Sequence, residues 1–117
     1  MKTKDILNIN TLEELVEATK QIADDKKAMM EIQLCMDSLN VRLEELTAYG
    51  DKKVEEAMAA SLQMYAARTA EELEEIMAKC RAAVVEIEKV REILVKMQEY
   101  MLELGERSKV IAAKYKD

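Results

Sequence analysis

The sequence contains no histidine, no proline, no phenylalanine and no tryptophan, and only two of its 117 residues are glycine. Without histidine, the chain lacks the commonest general base, the histidine-dependent catalytic triads and the Glu-x-x-His ligands of di-iron bundles. Few residues that break helices are present, which indicates long helices. No run of β-branched residues has a period of two, so no sheet is predicted.

The two cysteines also exclude several kinds of site. Cys35 and Cys80 are far apart and form no C-x-x-C pair, which argues against zinc. Neither has a neighbouring base that would activate its thiol, so both are interpreted as free thiols in a reducing compartment. The N-terminus has no apolar run after its lysines, and no stretch is long enough to span a membrane. We therefore expect a cytoplasmic protein with no membrane partner and no cofactor.

The strongest pattern that is present is a seven-residue repeat of apolar side chains in the second half of the chain. Its spacing is that of the a and d positions of a coiled coil, which need another helix lying along them. One position holds Leu73, Cys80, Ile87, Leu94 and Met101, and the other holds Ile76, Ala83, Val90, Met97, Leu104 and Ile111.

A second seam of the same period runs through Leu15, Ile22, Met29, Met36 and Leu43, and through Ala18, Asp25, Ile32, Leu39 and Leu46. Thr11 and Glu14 form a capping box, which predicts a helix over about 12–49, after a polar lead-in at 1–10 that is either packed or flexible. Gly50 is the predicted C-terminal stop. Asp25 interrupts the seam, either in a solvated turn at a bundle end or as a buried group that needs a basic partner.

Beyond Gly50, Asp51 is a candidate cap for a helix over about 51–68. Thr69 and Glu72 form another capping box, which predicts a helix over 70–104, followed by a short extension at 106–115 beyond Gly105. If the phase shift before Leu73 is instead a stutter, the second and third helices are continuous. The predicted fold is all-α: a long antiparallel helical hairpin or a three-helix coiled-coil bundle, forming one oligomeric domain at 11–117.

The apolar residues outnumber those that a two-helix seam can bury, which predicts self-association, most simply as a dimer. Off-seam examples are Leu34, Val41, Val85, Val95 and Leu102. The predicted oligomer interface consists of the strongest seam positions, Leu73, Ile76, Ile87, Val90, Leu94, Met97, Met101 and Leu104.

The net charge of −6 and the absence of an aromatic platform argue against direct binding to nucleic acid. The leading prediction is a non-enzymatic interaction module of the adaptor, assembly-chaperone or scaffold type, with itself and an unidentified protein as partners. An alternative is a small acidic inhibitor of a nucleic-acid-handling enzyme, as in phage-type counter-defence proteins. Its partner surface would comprise Asp24, Asp25, Glu44, Glu45, Glu55 and Glu56.

A more remote alternative is a magnesium-dependent nucleotide pyrophosphohydrolase. The motif E-E-x-x-E occurs at 13–17 and again at 71–75, and all-α enzymes of that class place magnesium on such a helix. The E-x-x-D motif that would complete the site on the next helix is missing. Both clusters also fall in first helical turns, where the helix dipole favours negative charge. We therefore assign no catalytic, cofactor-binding or metal-binding residue.

Overall fold

The structure is a computed structural model that describes residues 7–115. That part of the chain contains three helices and no strand: α1 spans Asn10–Lys20, α2 spans Asp25–Met64 and α3 spans Ala70–Lys114. The all-α prediction is confirmed. α2 and α3 form an antiparallel hairpin, and α1 adds a third helix at one end only. One end of the molecule is therefore a three-helix bundle, and the other end is a two-helix hairpin. The rod measures 72 × 24 × 17 Å.

The hairpin turns at residues 65–69, an end that we call the tip. The Thr69 hydroxyl accepts a hydrogen bond from the backbone N–H of Glu72 at 3.1 Å, and the Glu72 carboxylate accepts one from the backbone N–H of Arg68 at 2.9 Å. These two bonds satisfy backbone donors that a helix N-terminus otherwise leaves unpaired. The cap predicted at Thr69 is therefore confirmed, although Glu72 bonds the N–H of Arg68 and not that of Thr69 itself, and the alternative of one continuous helix is wrong.

The predicted helix end at Gly50 is wrong, because α2 continues through this residue to Met64. A Cβ placed on Gly50 would lie 3.2 Å from Val90 Cγ1 on α3. The glycine thus allows the two helices to approach closely, and its helical conformation has no positive φ. Gly105 likewise lies inside α3, so the predicted end at 104 and the separate extension at 106–115 are also wrong. One internal glycine costs only about 1 kcal/mol, less than the packing of the continuous seam supplies.

The helix predicted over 12–49 is interrupted where the sequence analysis expected it to continue. The chain leaves the helical conformation at residues 21–24, between α1 and α2. The carboxylate of Asp24 accepts a hydrogen bond from the backbone N–H of Lys26 at 3.2 Å and so caps α2. An N-cap aspartate followed by an acidic first turn is a recognisable start signal, which the continuous heptad pattern had obscured.

Asp25 lies at the open end of the rod, which is the end opposite the tip. Its carboxylate is 3.3 Å from Lys114 Nζ and accepts a hydrogen bond from the Tyr115 hydroxyl at 3.2 Å. The residue is half-buried. Both sequence interpretations were partly right, since Asp25 sits at a bundle end and also has a basic partner there.

The first helix begins before the predicted capping box of Thr11 and Glu14. α1 starts at Asn10, and the Asn8 side chain accepts a hydrogen bond from the backbone N–H of Asn10 at 3.0 Å. Within the predicted lead-in, Ile9 is buried and Leu7 packs against the core. The remaining lead-in positions, 1–6, lie outside the described residues.

The seam predicted in the second half of the chain forms the centre of the core. Its inner row is buried from Ala83 onwards, at Ala83, Val90, Met97, Leu104 and Ile111, and only half-buried at Ile76 near the tip. In α2 the matching buried positions include Ile32, Leu39 and Leu46. The heptads therefore locate the contact between α2 and α3 correctly, within a single chain.

Candidate interaction surface

α1 covers one face of the hairpin at the open end. Arg107 donates two hydrogen bonds of 2.6 Å to Thr19, one to its hydroxyl oxygen and one to its carbonyl oxygen. Lys20 pairs with Glu103 at 2.7 Å. Leu12 and Val16, which belong to α1, are buried in the core. α1 therefore completes a three-helix core in this half of the rod.

A tyrosine on α3 makes a further contact with α1. The Tyr100 hydroxyl donates a hydrogen bond to the Glu13 carboxylate at 2.8 Å. Burial, followed by this hydrogen bond, raises the pKa of Tyr100 to about 12. The neutral phenol is therefore the form that holds the two helices together.

Within residues 7–115, no third helix reaches the tip half of the rod. The main apolar core contains no residue between Leu46 and Ile93. In the tip half the buried side chains are small, namely Ala60 on α2 and Ala83 on α3, which line the same groove. Two helices that meet through alanines bury little apolar surface, so larger side chains around them remain in contact with water.

The two faces of the tip half differ in character. Tyr100 and Glu86 belong to one heptad stripe of α3, so the groove lined by Glu86, Lys53 and Glu56 lies on the same face as α1. This groove has a polar rim, and the Tyr49 hydroxyl donates a hydrogen bond to Glu86 across it at 3.0 Å. The opposite face is apolar.

We call the apolar surface on that opposite face the tip patch. Its α2 edge becomes more exposed towards the turn: Val54 is 41% exposed, Met58 63%, Leu62 69% and Tyr65 91%. Across the groove, Val84 forms the α3 edge and Cys80 the floor. Leu73 and Met77 precede Cys80 and Val84 by seven residues and extend their stripes. The tip patch therefore comprises Val54, Met58, Leu62, Tyr65, Leu73, Met77 and Val84.

The predicted oligomer interface divides into three groups in the structure. Val90, Met97 and Leu104 are buried against α2 of the same chain, so in this fold they are not accessible to a second chain. Leu73 alone is exposed, and it belongs to the tip patch. The half-buried members are Ile76, Ile87, Leu94 and Met101.

Sequence reasoning missed most of the tip patch, because it assigned the interface to the best seam positions. The signal was present in Val54, Met58, Leu62 and Tyr65, which fall on neighbouring turns after Gly50. Recognising their exposure required the knowledge that α1 packs on the opposite face of the hairpin.

The six acidic residues predicted as a partner surface are not brought together. Asp24 and Glu56 are 32 positions apart in one helix and its cap, a rise of roughly 48 Å. Within the chain, Asp25 pairs with Lys114, Glu45 with Arg42 and Glu56 with Lys53. The remaining residues of this set, Asp24, Glu44 and Glu55, are exposed. The predicted surface is thus a dispersed set of charges along the rod.

The described residues hold no group of three or more acidic or cysteine side chains placed to bind a metal ion. Glu13 of the first acidic cluster bonds Tyr100, and Glu17 pairs with Lys20 at 2.9 Å. Burial raises the pKa of the Cys35 thiol, which disfavours the reactive thiolate.

Between residues 7 and 115, no helix combines the length and the apolar character needed to cross a membrane. Comparisons with protein-family models, curated protein sequences and solved structures give no match to this chain.

Proposed function

We propose that the protein is a non-enzymatic interaction module of the adaptor or scaffold type, which self-associates through the tip patch. The observation that supports the proposal is the contiguous apolar surface on a face of the hairpin that no described helix covers. With seven large side chains between 37% and 91% exposed, it is comparable to the largest apolar patch on a typical monomer, about 300–600 Å², which is often functional.

A second copy of the chain is the occupant that we propose for this surface. Stable interfaces of standard size bury about 800 Å² on each partner, which the tip patch and its rim can supply. Both α2 and α3 contribute to the patch, so two copies related by a two-fold axis would form a local four-helix bundle. Such a bundle would bury side chains that the two-helix tip leaves in water.

The proposal is tested by light scattering over a concentration series. The wild type should approach twice its chain mass of 13.4 kDa. Leu62→Glu should shift the equilibrium towards the single-chain mass. Each dimer would lose two leucine side chains, each worth about 1–2 kcal/mol given its partial exposure, and would have to accommodate two charges.

Leu102→Glu is the matched control. Leu102 is 70% exposed, nearly the same fraction as Leu62, but it lies on α3 away from the tip patch. The substitution therefore has a similar effect on the isolated chain and should leave the dimer intact. A wild type that remains monomeric at every concentration, or equal effects of the two substitutions, would overturn the proposal.

A further inference from the structure

The tip patch ends abruptly halfway along the rod, and this boundary restricts how two copies can pair. On α2, the stripe with a spacing of seven residues reads Met30, Asp37, Glu44, Asp51, Met58 and Tyr65. Residues seven apart lie on the same side of a helix. The side of α2 that carries the patch is therefore apolar towards the tip and acidic from Asp51 to Asp37, with Met30 exposed beyond them at the open end.

α3 changes character at the same level. Its stripe reads Met77 and Val84 near the tip, and then Arg91 and Gln98 towards the open end. The contact between Gly50 and Val90 places Asp51 and Arg91 at nearly the same height along the rod. The tip patch thus ends at the same level on both helices, and beyond it this side of α3 carries two further exposed apolar side chains, Val95 and Leu102, one turn after Arg91 and Gln98.

Two arrangements related by a two-fold axis bring one tip patch onto another. If the rods lie side by side with both tips at one end, the acidic stripes of both copies also enter the contact zone. Each copy then brings Asp37, Glu44 and Asp51 against a single Arg91, which leaves like charges close together and partly desolvated. If the rods point in opposite directions and overlap only at their tips, the same stripes remain in water.

Resting on the proposed self-association, we propose that the dimer is antiparallel, with the two rods overlapping only over their tip halves. The patch extends from Val54 to Tyr65 on α2 and from Leu73 to Val84 on α3, an overlap of roughly 17 Å along each helix. Two rods of 72 Å that overlap by this amount give a particle about 125 Å long. The two α1-covered ends then point away from each other, so any surface at the open end is presented twice, far apart on a rigid spacer.

Small-angle X-ray scattering distinguishes the two arrangements at a concentration where light scattering gives the dimer mass. A maximum dimension near 125 Å supports the overlapping dimer. A value close to the 72 Å of one rod would overturn it in favour of side-by-side pairing, while leaving the proposed self-association intact. A monomer mass would instead overturn the proposed self-association itself, so the two failures are distinguishable.

A spin label at the open end gives an independent result. Val110 is exposed on α3 near that end, so Val110→Cys can carry the label in a background with Cys35→Ala and Cys80→Ala. The overlapping dimer should give no resolved short distance between the labels, because they lie near opposite ends of the particle. A short, well-defined distance would contradict this arrangement. Circular dichroism and the mass of the labelled protein confirm that the comparison is made on a folded dimer.

Discussion

The two glycines provide a direct test of the close approach between α2 and α3. Both lie inside helices, so replacing either by alanine removes the same unfavourable helix propensity, about 1 kcal/mol. Around Gly105 an added Cβ meets nothing within 4 Å. Gly105→Ala should therefore stabilise the protein by nearly the full amount. For a chain of this length, an unfolding entropy of about 2.1 cal/mol/K per residue converts this gain into a rise in Tm of about 4 °C.

At Gly50 the same gain is opposed by a steric contact. The added Cβ would lie 3.2 Å from Val90 Cγ1 and 3.9 Å from Val90 Cβ, so one helix must move by a few tenths of an ångström. Overpacking of this kind costs about 1–3 kcal/mol. We expect Gly50→Ala to be neutral or destabilising by up to about 2 kcal/mol, which places its Tm below that of Gly105→Ala.

The assay is thermal and urea unfolding followed by circular dichroism, at one fixed protein concentration because dimerisation would stabilise the chain. Val90→Ala supplies the control: in a double-mutant cycle, the combination with Gly50→Ala should be more stable than the sum of the single effects predicts. Equal stabilisation by Gly50→Ala and Gly105→Ala, with no coupling to Val90, would refute the close approach.

Three further outcomes are expected. Arg107→Met removes the two hydrogen bonds to Thr19, so α1 should detach from the hairpin more often. A hydrogen bond from a charged group is worth about 1.5–3 kcal/mol, so the buried thiol of Cys35 should react with a maleimide about tenfold faster or more. Thr69→Ala should lower the free energy of unfolding by about 1 kcal/mol through loss of the α3 cap, as seen in urea titrations. Tyr100 should titrate near pH 12 in the folded protein and near pH 10 in the unfolded chain. Its contribution to stability is therefore complete below pH 10 and is lost as the pH rises to 12. Tyrosinate absorbance measures the titration, and circular dichroism measures the loss of helicity.

Each outcome has its own control. The thiol assay is run with Cys80→Ala, so that only Cys35 reports, and an unchanged reaction rate would show that Arg107 does not anchor α1. Thr69→Ser keeps the hydroxyl and should retain most of the stability; if it behaves like the alanine variant, the cap is not the cause. In Tyr100→Phe, a tyrosinate step that persists near pH 12 would assign the raised pKa to another tyrosine.

The side of α3 that packs against another helix could be predicted from the sequence, whereas the boundaries between helices could not. The row Val90, Met97 and Leu104 was correctly placed against another helix, because a strict seven-residue period fixes the side of a helix that must be buried. The interruption of the helix at residues 21–24 was not predicted, because the seven-residue spacing of the first seam continues across it. Gly50 was assigned to a helix end, since sequence alone does not distinguish a stop signal from a residue that admits a neighbouring helix.

The candidate interface was the part least accessible from sequence. Excess apolar surface was correctly inferred from composition, but it was assigned to seam positions such as Met97 that the hairpin buries within one chain. Exposure depends on which faces the other elements cover. The tip patch is exposed because α1 packs on the opposite face of the hairpin, at the other end of the rod.

The sequence by itself therefore determined an all-helical chain and the seam along which α2 and α3 pack, because helix periodicity is a local property of neighbouring residues. It offered the turn capped by Thr69 as one of two alternatives, the other being a continuous helix. Only the tertiary structure decided that the seam is satisfied within one chain, that Gly50 brings two helices together, and that one face of the tip is left apolar. These three features depend on which residues distant in sequence become neighbours, and a seven-residue repeat does not specify whether its partner lies in the same chain.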